Sequence, residues 1–203
     1  MPAEDKDVLL YYYLTKHPGR TLIFVNSIKV AKRLDGLLRA LLLPVRILHA
    51  QQQQKQRLRS LEAYKDAPRS ILVATDVAAR GLDIQSVQTV LHYDIPRTPQ
   101  LFVHRAGRSG RAGKDGLSLS LITPPDLSSH LSICSALNIN RMQSIDVRER
   151  EMSVLRERVS LAKKIFTLSY IESQRERERN WVTSNAKAMG MDPDEDMREE
   201  ERE

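Results

Sequence analysis

Ile71-Leu72-Val73-Ala74-Thr75-Asp76-Val77-Ala78-Ala79-Arg80-Gly81-Leu82-Asp83-Ile84 begins as an unbroken apolar run and turns polar at Thr75-Asp76. An apolar run this short predicts a strand covered on both faces, as in a parallel sheet, ending in a polar loop. A second stretch follows it: His104-Arg105-Ala106-Gly107-Arg108-Ser109-Gly110-Arg111. It sets three arginines on a glycine-broken turn. A strand that runs into a polar loop, with arginines clustered nearby, is how an α/β sheet meets phosphates.

Outward from these stretches, strands alternate with helices. Val8, Leu9, Tyr12 and Tyr13 keep helical spacing, so a helix is predicted near 5–16, ended by His17-Pro18-Gly19. Thr21–Asn26 reads as a buried strand. Ser27 is placed to cap a helix whose stripe is Val30, Leu34, Leu37, Leu38 and Leu41, and Pro44 ends it. Further strands are predicted at Val45–Leu48, Ile71–Ala74, Val87–Tyr93 and Leu117–Ile122. Helices are predicted over Gln54–Tyr64, Thr98–Arg105 and about Pro125–Leu137. The alternation predicts an α/β fold with a doubly wound, mostly parallel sheet. Ligands then sit at the carboxyl ends of the strands, which puts Asn26, His49, Thr75, Asp76 and Asp94 on one rim.

From Ile145 onward the composition changes. Leu155, Val159, Ala162, Phe166 and Tyr170 predict one long amphipathic helix, and Glu172–Arg179 a solvated face. Asp192–Glu203 is acidic-rich and predicted to be disordered. Two regions are therefore expected: a domain over 1–140 and a helical extension over 141–203.

The chain has 203 residues, 41% of them hydrophobic, and a net charge of +6, which favours an anionic partner without identifying it. Cys134 is the only cysteine, so an internal disulfide and a Cys-rich zinc site are excluded. Its ordinary reading is a small apolar residue on a helix. His17, His92 and His130 read as loop, strand and helix residues. No two histidines have metal-ligand spacing, so no metal site is expected. No apolar run is long enough to span a membrane, and no signal peptide is read at the start.

The arginines carry the chemistry. Guanidinium is planar, permanently charged and able to bond phosphate oxygens in pairs. A phosphate-cradling loop would read Gly-x-x-x-x-Gly-Lys-Ser/Thr. The one Gly-Lys, Gly113-Lys114, is followed by Asp115, and Arg108 stands where such a loop would begin. No Asp-Glu-Ala-Asp box occurs. The sequence therefore offers clustered arginines but neither the phosphate-cradling loop nor the magnesium carboxylates of a nucleotide hydrolase.

The two stretches resemble motifs V and VI of DEAD-box RNA helicases, and the resemblance covers about Leu22 to Ile122. It implies the carboxyl-terminal RecA-like lobe of an ATP-dependent RNA helicase. Phe24-Val25-Asn26-Ser27 resembles motif IV; His49, Gln54 and Arg57 match the next RNA-facing motif. The resemblance implies RNA contacts at Asn26, Gln54, Arg57, Thr75, Arg80 and Gly81. It implies nucleotide contact at Asp83, arginine fingers at Arg108 and Arg111, and coupling of the two sites by Asp76, His104 and Arg105. Three residues depart from the family pattern, Ala50, Ala106 and Ser109, and every charged position stands. Of Gln51–Gln54 only Gln54 maps onto the motif; the others are expected in exposed loop.

ATP with Mg²⁺ is the implied cofactor set, bound mainly by an amino-terminal lobe that this sequence does not include, so the chain alone is expected to be inactive. The expected partners are single-stranded or ribosomal RNA, that lobe and preribosomal proteins, with no membrane. Val154–Ala162 and Asn180-Trp181 resemble the extension of nucleolar DEAD-box proteins linked to large ribosomal subunit assembly, which implies an intracellular, nucleolar place. The plain alternative for this segment is a packing helix with Trp181 as a buried anchor. The alternative for the whole chain is a non-enzymatic RNA-binding or scaffold module.

Overall fold

The computed structural model describes residues 2–79, 84, 87–110, 115–140 and 142–189. Five strands form one sheet: β1 (Thr21–Val25), β2 (Val45–Leu48), β3 (Ile71–Thr75), β4 (Thr89–His92) and β5 (Leu117–Ser120). The order is β2-β3-β1-β4-β5 and every pairing is parallel. The seven α-helices of the described residues are α1 (Lys6–Lys16), α2 (Ile28–Ala40), α3 (Gln54–Asp66), α4 (Asp76–Ala79), α5 (Pro99–Ala106), α6 (Leu127–Ala136) and α7 (Glu149–Ala188).

Strand alternation sorts the core. Ile23, Val25, Val73 and Leu91 point to one face, where they pack with Leu10 and Leu14 of α1, Leu34 and Leu38 of α2, and Met152, Val159 and Ala162 of α7. Leu22, Phe24, Leu72, Ala74 and Val90 point to the other, under Leu61 and Tyr64 of α3 and Ala78 and Ala79 of α4. Both β1 and β3 are therefore buried throughout, as their sequence predicts.

Helix starts follow their caps. The Ser27 hydroxyl accepts from the Val30 amide and the Thr98 hydroxyl from the Leu101 amide, with Pro99 at the first position of α5. Three local expectations change. Asp76 begins the short helix α4 directly from the strand end, where a polar loop is predicted. Gln52 is half-buried: its Oε1 accepts from the His49 amide at 3.0 Å and its Nε2 donates to the Ile47 carbonyl at 3.2 Å, so it ties the loop to β2. Trp181 is 68% exposed and so is no buried anchor.

The chain divides into two compact units, Met1–Ala162 and Lys163–Glu203. In the first, α7 buries Met152, Val159 and Ala162, and Arg156 pairs with Asp5 and Glu149. In the second, Ile165, Leu168, Tyr170, Ile171 and Trp181 are exposed on α7. The acidic tail Asp192–Glu203 lies outside the described residues. No described helix is long and apolar enough to cross a membrane.

Candidate functional site

Register builds the site. Val25 pairs with Thr75 and Phe24 with His92, so β1, β3 and β4 end side by side. The next residues, Asn26, Asp76 and Asp94, share the rim at the strands' carboxyl ends, where α/β sheets bind ligands. Arg105, on the last turn of α5, reaches into that rim and is 1% exposed.

A buried guanidinium persists only when its donors are satisfied. Arg105 Nε and Nη2 donate to the two Asp76 carboxylate oxygens, each at 2.7 Å. Nη1 donates to the Asp94 carbonyl and Nη2 also to Asn26 Oδ1, both at 2.7 Å. The group also lies over the Phe24 ring, 5.1 Å from its centroid. Asn26 is fixed in turn: its amide donates to Asp94 Oδ2 at 2.9 Å and its Nδ2 to the Ile95 carbonyl at 2.9 Å. Lys6 Nζ stands 3.8 Å from Asp94 Oδ1. One arginine thus joins three strand ends.

Beside this junction is an open cleft lined by Phe24, Asp76, Ala79, Leu101, His104, Arg105 and Arg108. His104 is exposed on α5, and Arg108 is half-buried in the turn that follows. That turn is anchored. The Arg108 amide donates to the Arg105 carbonyl, and its own carbonyl accepts from the Val87 amide. Ser109 Oγ donates to the Ala106 carbonyl at 2.8 Å. Gly110 has φ of 68°, the left-handed region that favours glycine. A Cβ on Gly116 would stand 2.1 Å from the Gly110 nitrogen, so the two backbones touch there.

Across the rim, Arg57 on α3 donates to Gln54 Oε1 and to the Ala78 carbonyl, each at 3.3 Å. Gln54 is exposed at the start of α3, whereas Thr75 is 7% exposed at the end of β3. Behind the site His92 is fully buried. Its Nε2 shares a hydrogen bond with Ser118 Oγ, and its ring stacks between Phe102 and Phe24. Desolvation, then the nearby Arg105 charge, pushes its pKa down to about 3.

The structure therefore brings Asn26, Asp76 and Arg105 into one contact set, with His104 and Arg108 along the adjoining cleft and Gln54 and Arg57 on the other side of α4. Arg80, Gly81, Asp83 and Arg111 lie outside the described residues. Of the residues around the junction, Ile95 has no reading in the sequence, and Phe24 and Asp94 are read only as part of motif IV and of the rim, without a role. Asp94 is visible in the sequence as a rim residue, but its carbonyl contribution has no sequence signal.

Residues 5–113 match the helicase conserved C-terminal domain family. An ATP-dependent RNA helicase of Dictyostelium discoideum, ddx24, is 43% identical over 194 residues, which is 96% of this chain and 20% of that protein. The first curated relatives are matched over 20% to 30% of their own length. Among solved structures, the C-terminal domain of the DEAD-box protein Dbp5 superposes with a TM-score of 0.66 at 28% identity, covering 80% of this chain and 92% of that one. Domain 2 of the Mss116p DEAD-box helicase, bound to an RNA duplex, gives 0.66 at 25% identity, covering 88% and 75%.

Proposed function

The chain belongs to the helicase conserved C-terminal domain family, in its DEAD-box form, and on that premise we propose that it grips RNA and supplies arginine to ATP held by an amino-terminal partner lobe. The observation that carries this reading is the Arg105 junction: it ties together the ends of β1, β3 and β4, the first two bearing the family motifs, and His104 and Arg108 line the open cleft beside it.

Asn26, Gln54, Arg57, Thr75, Arg80 and Gly81 form the RNA-facing side. Backbone contact of this kind needs donors and reads no sequence. Asp83, Arg108 and Arg111 face the nucleotide. Asp76 and Arg105 couple the two sides, with His104 beside them, because any shift of one strand end must move the shared guanidinium. Asp76 is already committed to Arg105, so the carboxylates for Mg²⁺ come mainly from the other lobe. Bound ATP supplies the phosphoanhydride to be hydrolysed; Arg108 and Arg111 neutralise charge that builds on its terminal phosphate. Closure of the two lobes on RNA and ATP brings these arginines into place and bends the strand. Residues 1–140 are the lobe and 141–203 its extension. Resemblance of Val154–Ala162 and Asn180-Trp181 to nucleolar assembly helicases supports a place in large-subunit ribosome assembly, with preribosomal RNA and proteins as partners.

RNA-stimulated ATP hydrolysis tests this, measured for the chain alone and for the chain joined to an amino-terminal lobe. Silence alone and turnover when joined is the expected result. In the joined protein Arg108→Ala should lower turnover roughly 10³-fold, the lower range for arginine fingers, with RNA affinity retained. Silence in both forms, with RNA still bound, would establish the non-enzymatic binding module instead.

A further inference from the structure

Away from the cleft, two sulfur side chains and an imidazole converge on α6 and the loop after it. His130 Nε2 lies 3.1 Å from Met142 Sδ and 3.5 Å from Cys134 Sγ, and the two sulfurs are 4.0 Å apart. His130 and Cys134 are four residues apart on one helix, the spacing that puts two ligands on the same face. Met142 joins them only through the turn at Leu137–Asn138, where Asn138 takes a left-handed φ of 53°.

From the His130–Cys134–Met142 convergence we infer a binding site for a single soft monovalent cation of the copper(I) class. The donor set decides the class. Thiolate, thioether and imidazole together select copper(I) over the harder divalent ions, and thioether is not an ordinary zinc ligand. The geometry decides the number. With metal–nitrogen and metal–sulfur lengths of about 2.0 and 2.3 Å, three ligands around one ion stand about 3.7 Å (N to S) and about 4.0 Å (S to S) apart. The sulfurs already have that separation, and the ring nitrogen must withdraw by about 0.2 Å from Cys134 Sγ and about 0.6 Å from Met142 Sδ.

The histidine points the same way independently of the cysteine. It is 4% exposed, and its Nε2 is aimed into the cluster, where it meets the two sulfurs. Sulfur is a weak hydrogen-bond partner, so a buried imidazole directed at two sulfurs is poorly satisfied without an ion. Access exists: Cys134 is half-buried and Met142 is 48% exposed. On binding, the Cys134 thiol proton leaves to solvent and its sulfur bonds the cation. His130 and Met142 donate lone pairs, and no electron is transferred. Among the described residues no three His, Cys, Asp or Glu side chains gather in a metal-holding group. The thioether therefore completes the site.

The test is anaerobic competition for copper(I) between the chain and bicinchoninate, followed by loss of the chelator's colour. One equivalent taken per chain is expected, with affinity lowered at least about tenfold in Met142→Leu and in His130→Gln, and more in Cys134→Ser. Met142 is solvent-facing, so its variant should keep the parent's thermal midpoint without metal, which separates ligand loss from misfolding. No uptake against the chelator overturns the inference. Uptake that depends on Cys134 alone, unchanged in Met142→Leu and His130→Gln, also overturns it, because the thiol would then be capturing metal without a built site.

Discussion

Arg105 and Arg108 are three residues apart and do different work. Arg105 is 1% exposed and has four bonds of 2.7 Å, so its removal strands the Asp76 carboxylate and the Asn26 amide. Breaking such a buried pair costs about 3–5 kcal/mol. Arg105→Ala should therefore lower the urea midpoint strongly, and Arg105→Lys should recover only part because one ammonium cannot match the fork. Arg108→Ala, at a half-buried position beside the cleft, should lower the midpoint much less than Arg105→Ala while turnover falls. Equal stability losses for the two arginines would contradict this division. His92 gives a pH signature of its own. Its folded pKa is about 3 and its unfolded value is near 6.5. Protonation thus favours the unfolded chain: the neutral ring's contribution is complete above pH 6.5 and is lost as pH falls toward 3, by up to about 1.4 kcal/mol per unit. Burial lowers His49 and His130 in the same sense. Urea midpoints measured from pH 7.5 down to 4.5 should fall, and His92→Phe should flatten part of that slope. A pH-independent midpoint over this range would show that His92 does not stay neutral.

At the scale of elements, the inner strands β1, β3 and β4 are the most legible part of the chain, because burial on both faces writes itself as mostly apolar runs. The Ser27 and Thr98 caps are legible for a similar local reason. What is not legible depends on partners far along the chain. Arg105 can be named as a coupling residue by resemblance, yet its grip needs β1, β3 and β4 to end together, which register alone arranges. Gln52 reads as one of four repeated glutamines until the end of β2 supplies its two backbone partners. His130 and Cys134 are visible four apart, but spacing rules for paired histidines or clustered cysteines pass over a methionine that folding brings beside them. The arginine turn shows the same dependence. Gly116 looks like an ordinary spacer before β5, but a methyl there would press on the Gly110 backbone at 2.1 Å. Gly116→Ala should displace the turn bearing Arg108 and reduce joined-lobe turnover by at least tenfold. The core on the opposite face should stay intact, so the far-ultraviolet spectrum is expected to be unchanged. Full turnover in this variant would mean that the turn's seat on Gly116 does not set the arginine.

At the scale of the whole molecule, the helix α7 is one element with two energetic halves. The sequence pattern Leu155, Val159, Ala162, Phe166, Tyr170 continues one apolar stripe, but burial does not follow it: Val159 and Ala162 are 1% and 3% exposed, while Tyr170 is 54% exposed. Periodicity marks which side chains could face a core, and only the fold determines how far that core extends. Among the described residues of α7 the buried ones all precede Lys163, as do the ion pairs of Arg156 with Asp5 and of Glu151 with Lys16. Loss of Met152 and Val159 from the core alone removes on the order of 3–6 kcal/mol, at 1.5–3 kcal/mol for each large side chain. That is a large share of the 5–15 kcal/mol that holds a typical domain together. A chain ending at Ala162 should therefore keep a thermal midpoint within a few degrees of the parent, whereas one ending at Arg148 should lose tens of degrees or fail to fold. RNA affinity measured on the Ala162-ended chain then assigns the remaining role. If the exposed second half of α7, with Arg175, Arg177 and Arg179, neutralises RNA phosphates, its removal should flatten the salt dependence of binding. The slope should fall by about 0.7 for each phosphate of single-stranded RNA that is no longer neutralised. An unchanged slope would confine RNA binding to the first unit and leave the extension's exposed apolar and charged surface to protein partners.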